Sequence, residues 1–276
     1  MKYYSQYKQD QFIFEMFFQK NCNIRNPKGW TTFSDMVKGN PEYSSKNLIK
    51  YDGYFVDIGA HDGVSFSNSK FFEELGWKGV CIEPNPQIFN ELESNRNSST
   101  QCIMKAISNK KSTENFTSIQ STDNKNKDGV NMLNGLTDKF DIKARENINK
   151  LKNDSNYKVS EIKLETDLFS NLIPHKEIDY LSVDTEGNEL EILKTINFDE
   201  YNIKTITVEN NVYNSNLISD YLTSKNYTYI VRLRCDEIYI CNNYLNEIFY
   251  NQVDLLKNKI EKWNIYNPNL IFKINL

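Results

Sequence analysis

Histidine is nearly missing from this 276-residue chain, which has only His61 and His175. That excludes a His-rich metal centre and any mechanism needing several imidazoles. Cysteine is sparse as well. Cys22, Cys81, Cys102, Cys235 and Cys241 are odd in number and contain no CxxC, which argues against a disulfide framework or structural zinc and sets a reducing, cytoplasmic location as the expectation. No run approaches the roughly 18 apolar residues of a transmembrane helix. The opening MKYYSQYKQDQFIFEMFF is broken by polar residues and does not read as a signal peptide. Positive charge is not in excess: 33 Lys and Arg against 37 Asp and Glu leave a net charge of −4. Such a surface has no general footprint for nucleic acid, so no DNA partner is expected and RNA is disfavoured.

What is there fits a soluble globular protein, with 39% hydrophobic and 25% charged residues. Asparagine reaches about one residue in seven, which with the many Lys and Ile reflects AT-rich coding rather than chemistry. Apolar spacing predicts a helix over 5–20 with Ser5 as N-cap, then a loop-rich connection over 21–50. Strand and helix then alternate: strands at 54–58, 79–82, 101–107, 178–183 and 205–208, and helices at 66–75, 86–95, 189–195 and 217–224. Residues 109–135 are polar and read as a mobile flap or a short hairpin with a loop. A helix over 137–152 and an extra strand at 157–164 follow. Strands 227–233 and 237–241 form a hairpin, and 245–263 a C-terminal helix. This pattern predicts an α/β fold, a doubly wound, mostly parallel sheet with one antiparallel strand from the C-terminal hairpin. The expected organisation is an extension over 1–50, a main domain over 51–245 with a polar insertion at 109–160, and a helical tail over 246–276.

The chemistry begins at Val56-Asp57-Ile58-Gly59-Ala60-His61-Asp62-Gly63. In open α/β sheets ligands bind outside the carboxyl ends of the strands. Gly59 allows a sharp turn or close approach of a ligand, and Asp57 and Asp62 surround the turn with carboxylates that suit an ammonium and hydroxyls better than a pyrophosphate. About twenty residues on, Glu83 ends the next predicted strand, where a carboxylate can accept from both hydroxyls of a ribose. Further along, Asp184, Glu186 and Glu189 follow the strand at 178–183, while Glu209 and Asn210 follow the strand at 205–208. Glu189 suits the first turn of a helix, and Glu186 reads either way. Asp184 and Glu209 are expected to converge on one cleft, as general base or substrate-positioning groups, as ligands of a hard cation such as magnesium, or only as cofactor-positioning and capping residues.

The segments YFVDIGAHDGVSFSNSKFFEELGWKGVCIEPNP, IDYLSVDTEGNELEIL and TVENN, with SQYKQD upstream, resemble the FkbM-type methyltransferases, a class I (Rossmann-like) group that uses S-adenosylmethionine. His61 and Asn188 depart from residues common in that family. The resemblance implies that Gly59 lies against the cofactor, with Asp57 or Asp62 near the methionine ammonium and Glu83 on the ribose. It also implies that Ala106, Ile107 and Ser108 flank the adenine and that Gln9 and Asp10 fold back over the cofactor, or else form the polar face of a packing helix. Asp184, Glu186, Glu209 and Asn210 are then the catalytic candidates, with no metal assigned. The implied activity is O-methyl transfer to a hydroxyl of a small molecule or a sugar or glycan. A cap-type RNA ribose 2′-O-methyltransferase and a non-catalytic scaffold are the alternatives.

Overall fold

The computed structural model describes residues 2–18, 52–122, 134–140, 142–211, 215–248 and 263. The expected loop over 21–50 and most of the expected tail helix lie outside these residues. Helical turns do start at 242 and run to 248, and Trp263 packs edge-on against Phe12 at 5.0 Å between ring centres.

Seven strands form the main sheet: β1 (Tyr54–Ile58), β2 (Lys78–Ile82), β3 (Thr100–Ile103), β8 (Glu177–Val183), β9 (Asn202–Glu209), β10 (Tyr227–Leu233) and β11 (Asp236–Cys241). Their order across the sheet is β10-β11-β9-β8-β1-β2-β3. Neighbours from β9 to β3 are parallel, and β11 runs antiparallel to both β9 and β10. This is the doubly wound sheet with one antiparallel hairpin strand that the sequence predicts. The order reverses between β1 and β8, which puts the ligand-binding crevice at their carboxyl ends.

The sheet is covered on both faces, so its inner strands are apolar throughout. Successive side chains of β1 alternate between faces. Phe55 joins a cluster with Phe12, Phe14, Phe71, Phe72 and Trp77. Val56 and Ile58 join Leu181, Val183, Ile192 and Ile206 on the other face.

Several boundaries differ from expectation. The N-terminal helix is α1 (Gln9–Ile13) running into a π turn over Phe14–Phe18. Ser5 is not its cap residue, a position that Lys8 holds, but the Ser5 hydroxyl accepts from the Asp10 N–H at 3.2 Å and donates to Asp10 Oδ1 at 2.6 Å. The helix expected over 66–75 shrinks to α2 (Lys70–Glu74), because Phe66 has a φ of 53° and Ser67 Oγ accepts from the Lys70 N–H at 3.1 Å. The strand expected over 101–107 is two strands. Its second part, β4 (Ala106–Ile107), leaves the main sheet for a second one, ordered β4-β7-β5-β6. There β5 (Ser112–Ser121) pairs along its whole length with β7 (Tyr157–Asp167), and β6 (Gly135–Leu136) adds two residues. Residues 112–121 are therefore sheet rather than flap, while 123–133 lie outside the described residues.

Helix α3 (Pro86–Asn95) falls where the sequence puts it, with Pro86 in its first turn. Asn85 caps it by accepting from the Gln87 N–H at 3.1 Å and reaches the second sheet by donating to Ser118 Oγ at 3.2 Å. Asn85→Ala should cost about 1–2 kcal/mol of stability through the lost cap and tether. Denaturant unfolding measures this, and an unchanged midpoint would contradict both roles.

Candidate active site

A cavity of about 390 Å³ opens at the carboxyl ends of β1, β2 and β8, where the two halves of the sheet diverge. The loop after β1 is drawn tightly against the loop after β8. Asp184 N–H donates to Ile58 O and Gly59 N–H to Ile82 O, both at 2.9 Å. Gly59 has a φ of +86°, and a Cβ there would lie 1.6 Å from the Asp184 carbonyl oxygen. The glycine borders the cavity, but its missing side chain makes room for the neighbouring loop, not for a ligand.

Glu83, at the end of β2, is buried and borders the cavity. It accepts from the backbone N–H groups of His61 (3.1 Å) and Asn85 (2.8 Å). Burial raises its pKa to about 7, against the pull of those hydrogen bonds. Asp57 also borders the cavity but is engaged by its own chain: Ser69 Oγ donates to it at 2.5 Å and Arg96 lies 3.8 Å away. Burial still outweighs Arg96 and raises its pKa.

Two expected carboxylates are not in the cavity wall. Asp62 closes its own turn, accepting from Val64 N–H (2.8 Å), Ser65 N–H (2.7 Å) and Ser65 Oγ (2.6 Å). Burial acts upward on its pKa, but the His61 ring, with Nδ1 3.7 Å away, and hydrogen bonds from Ser65 and that backbone pull it well down. Asp10 gathers Tyr4 N–H, Ser5 Oγ and Gln11 N–H within 2.7 Å and fixes the N-terminal turn. From the same segment Gln6 and Gln9 reach the cavity, Gln9 donating to Asp236 Oδ2. Ala106 and Ile107 line the cavity, while Ser108 turns away and donates to Glu114 at 3.3 Å.

The acids at the far end come together as the sequence suggests, with one exchange. Asp184, Glu186 and Glu209 each offer an oxygen within 4.8 Å of the others. Glu186 enters through a left-handed backbone conformation, with φ 58° followed by Gly187 at 118°. A non-glycine residue in that region is uncommon and costs on the order of 1 kcal/mol or more. Glu209 Oε2 is buried without a hydrogen-bond partner. All three pKa values are pushed well up, first by burial and then by neighbouring carboxylates. Asp236 is raised to about 6 for the same first reason. Asn210 is not part of the cluster. Its amide donates to Glu237 at 3.1 Å and Ser215 O at 3.5 Å, and it lines a neighbouring cavity instead. Glu189 closes its own loop, accepting from Thr185 and Gly187 N–H at 2.9 Å.

Sequence reasoning did not assign several side chains of the cavity wall, among them Asn188, Asn68, His61 and Asp236. Asn188 donates to Ile107 O at 3.1 Å and leaves its Oδ1 buried and unpartnered. Asn68 donates to Ser182 Oγ at 3.1 Å, and its Oδ1 is likewise buried and unpartnered. Both ring nitrogens of His61 are buried without a hydrogen-bond partner. Amides before a helix read as caps, so the sequence gives Asn68 and Asn188 no pocket role, whereas His61 lies within the loop motif already singled out.

The profile of the methyltransferase FkbM domain matches residues 57–230 of the 276. The chain belongs to the FkbM methyltransferase family. No curated protein matches it in sequence. Among solved structures, a Methanococcus jannaschii fibrillarin pre-rRNA processing protein is similar at 11% identity and a TM-score of 0.35, covering 70% of this chain and 68% of its own. A human methyltransferase 10 domain containing protein is similar at 11% identity and a TM-score of 0.31, covering 75% and 78%. Likenesses this distant bear no weight for function.

As an FkbM methyltransferase the chain is an S-adenosylmethionine-dependent enzyme, and the cavity fits that cofactor. Unpaired buried acceptors at Asn68 and Asn188 require hydrogen-bonding partners that the described residues do not supply. A ligand bearing an ammonium, two ribose hydroxyls and an adenine amine supplies donors for such groups.

The raised carboxyl pKa values fix the pH dependence of the ligand-free fold. Asp57, Glu83, Asp184, Glu186, Glu209 and Asp236 titrate higher folded than unfolded. Between the unfolded values near 4 and the raised ones, the folded state holds more protons, so stability falls as pH rises. Thermal unfolding without ligand should show a lower midpoint at pH 8 than at pH 6. A midpoint that rises across that interval would contradict the desolvated cluster.

Proposed function

We propose that the enzyme is an O-methyltransferase acting on a hydroxyl of a small molecule or sugar. The observation that carries this reading is the cluster of Asp184, Glu186 and Glu209, with one buried unpaired oxygen, at the edge of the cofactor cavity. A hydroxyl must give up a proton as it is methylated. Carboxylates whose pKa values are raised by burial and mutual repulsion are better proton acceptors than exposed ones.

S-adenosylmethionine, when bound, supplies a methyl group already activated by a sulfonium. The residues assigned to hold it are Glu83 for the ribose hydroxyls, Asn188 for the adenine amine beside Ala106 and Ile107, and Asn68 for the methionine ammonium. Gln9 keeps Asp236 turned toward the cavity from the N-terminal helix. Asp184 and Glu209 accept the acceptor's hydrogen bond and then its proton. The carboxylates at the edge of the cavity would favour binding of a positively charged donor group.

The three convergent oxygens also suit a hard divalent cation. An all-oxygen donor set selects magnesium over zinc. We favour the metal-free base, because Asn210 is engaged away from the cluster and the Glu209 carboxylate sits on a longer stem than an Asp would provide. A cytoplasmic setting is part of this proposal and is supported by Cys81, Cys102, Cys235 and Cys241, which are free thiols. Among the described residues no helix is long and apolar enough to cross a membrane.

Asp184→Asn should lower turnover by about 10²–10⁴-fold while leaving S-adenosylmethionine affinity nearly unchanged. A chelator should leave transfer intact, whereas abolition of transfer with preserved cofactor binding would establish the cation instead. Full activity in both Asp184→Asn and Glu209→Gln would remove the cluster from the reaction. Glu83→Ala should weaken S-adenosylmethionine binding by about 10- to 100-fold in calorimetric titration. Unchanged affinity in the folded variant would take Glu83 out of the cofactor site.

A further inference from the structure

Beside the cofactor cavity lies a second one, of about 370 Å³. Glu186 and Glu209 border both. One wall of the second cavity comes from the loops after β8 and β9. The other comes from the polar insertion: a 3₁₀ turn over Thr137–Lys139 and helix α4 (Ile142–Lys152).

The insertion wall is built in place. Arg145 ties helix to turn by donating to Phe140 O at 2.9 Å and Asp138 O at 3.1 Å. The Lys139 carbonyl lies 3.0 Å from where a Cβ on Gly187 would be, so the turn is seated on the loop that carries Glu186. Phe140 and Ile148 give this wall an apolar face, and Asn147 and Asn211 add amides. Aromatic and aliphatic surface beside amides suits the mixed faces of a sugar ring.

Charge is divided across the cavity. Glu186 and Glu209 stand at the boundary with the cofactor site and Glu189 lines the same wall, where its carboxylate is held by the Thr185 and Gly187 N–H groups. Lys139 and Lys143 come from the insertion wall, Lys139 also acting on Glu191. Among the described residues neither lysine is in an ion pair. Such a cavity repels an anionic group from the reacting end and attracts it to the insertion.

We propose that the acceptor occupies this second cavity and is an anionic sugar, whose carboxylate or phosphate is held by Lys139 and Lys143 while a hydroxyl reaches Glu209, the base candidate that borders both cavities. The proposal rests on the hydroxyl-acceptor reading above and adds the acceptor's charge and location. It also gives one part of the insertion, the 3₁₀ turn and helix α4, a role: to set acceptor choice from the second cavity, while Phe116, Asn134, Gly135 and Leu136 of the same insertion line the cofactor cavity.

The test is calorimetric titration of protein saturated with S-adenosylhomocysteine, using glucose, glucosamine, glucuronate and glucose 6-phosphate as probes. At least one anion should bind about tenfold or more tightly than glucose. Lys139→Gln/Lys143→Gln should erase that preference with S-adenosylhomocysteine affinity unchanged. If the double variant fails to fold, Lys143→Glu, at an exposed helix position, serves in its place. The relative strength of glucuronate and glucose 6-phosphate separates carboxylate from phosphate recognition. Equal binding of all four, preference for glucosamine, no binding of any, or an anion preference that survives loss of the lysines would each overturn the proposal. Methyl transfer from a labelled donor to neutral hydroxyl acceptors, indifferent to the lysines, would overturn it while leaving the hydroxyl-acceptor reading intact. Methylation confined to acceptors without a hydroxyl would overturn both.

Discussion

Carboxylates crowded around a single cavity, four of the six buried and Asp184 and Glu186 half-buried, are the constraint on which the rest of the structure depends. Of Asp57, Glu83, Asp184, Glu186, Glu209 and Asp236, only Asp57 has an ion-pair partner among the described residues, Arg96 at 3.8 Å. A carboxylate moved from water into such a site either keeps a proton or waits for a cationic or donor-rich ligand. The rise of Glu83 to about 7 corresponds to a penalty on the order of 3 kcal/mol on its charged form. The protein tolerates this because the sheet behind the site is apolar on both faces, with Phe55, Val56, Ile58, Leu181 and Val183 buried.

The sheet also determines which groups face the cavity. Gly59 lets the loop after β1 press against the Asp184 carbonyl, so the cofactor-side and acid-bearing loops are positioned by direct backbone contact. A Cβ at Gly59 would push those loops apart. Its effect on binding would come through Asp184 rather than through occupation of ligand space. The second sheet contributes at a distance. Asn85 ties it to the end of β2, and the turn after β6 seats Lys139 on Gly187.

Much of this was legible in the sequence, because parallel strands buried on both faces produce short apolar runs ending in the residues that meet ligand. Asp57, Glu83, Asp184 and Glu209 each stand at such an end. Helices α3, 189–195 and 217–224 were legible from their apolar spacing and flanking residues. What escaped notice depended on contacts between distant segments. Ser112–Ser121 is polar because it sits in a small second sheet, and polarity alone cannot distinguish that from a loop. Asp10 and Asp62 carry the right charge in the right region, yet nearby backbone N–H groups capture them. Asn68 and Asn188 matter because their amide nitrogens are occupied by Ser182 and Ile107, leaving the oxygens in the cavity. Only the folded chain reveals that.

The central claim is that the unliganded site holds protons that the cofactor displaces. Titrating S-adenosylmethionine into the protein calorimetrically in buffers of different ionisation enthalpy counts protons exchanged on binding. At pH 6.5, below the raised Glu83 value of about 7, the account predicts net proton release, fading as the pH is brought up to 9. Binding without proton exchange at pH 6.5, or with proton uptake, would contradict it.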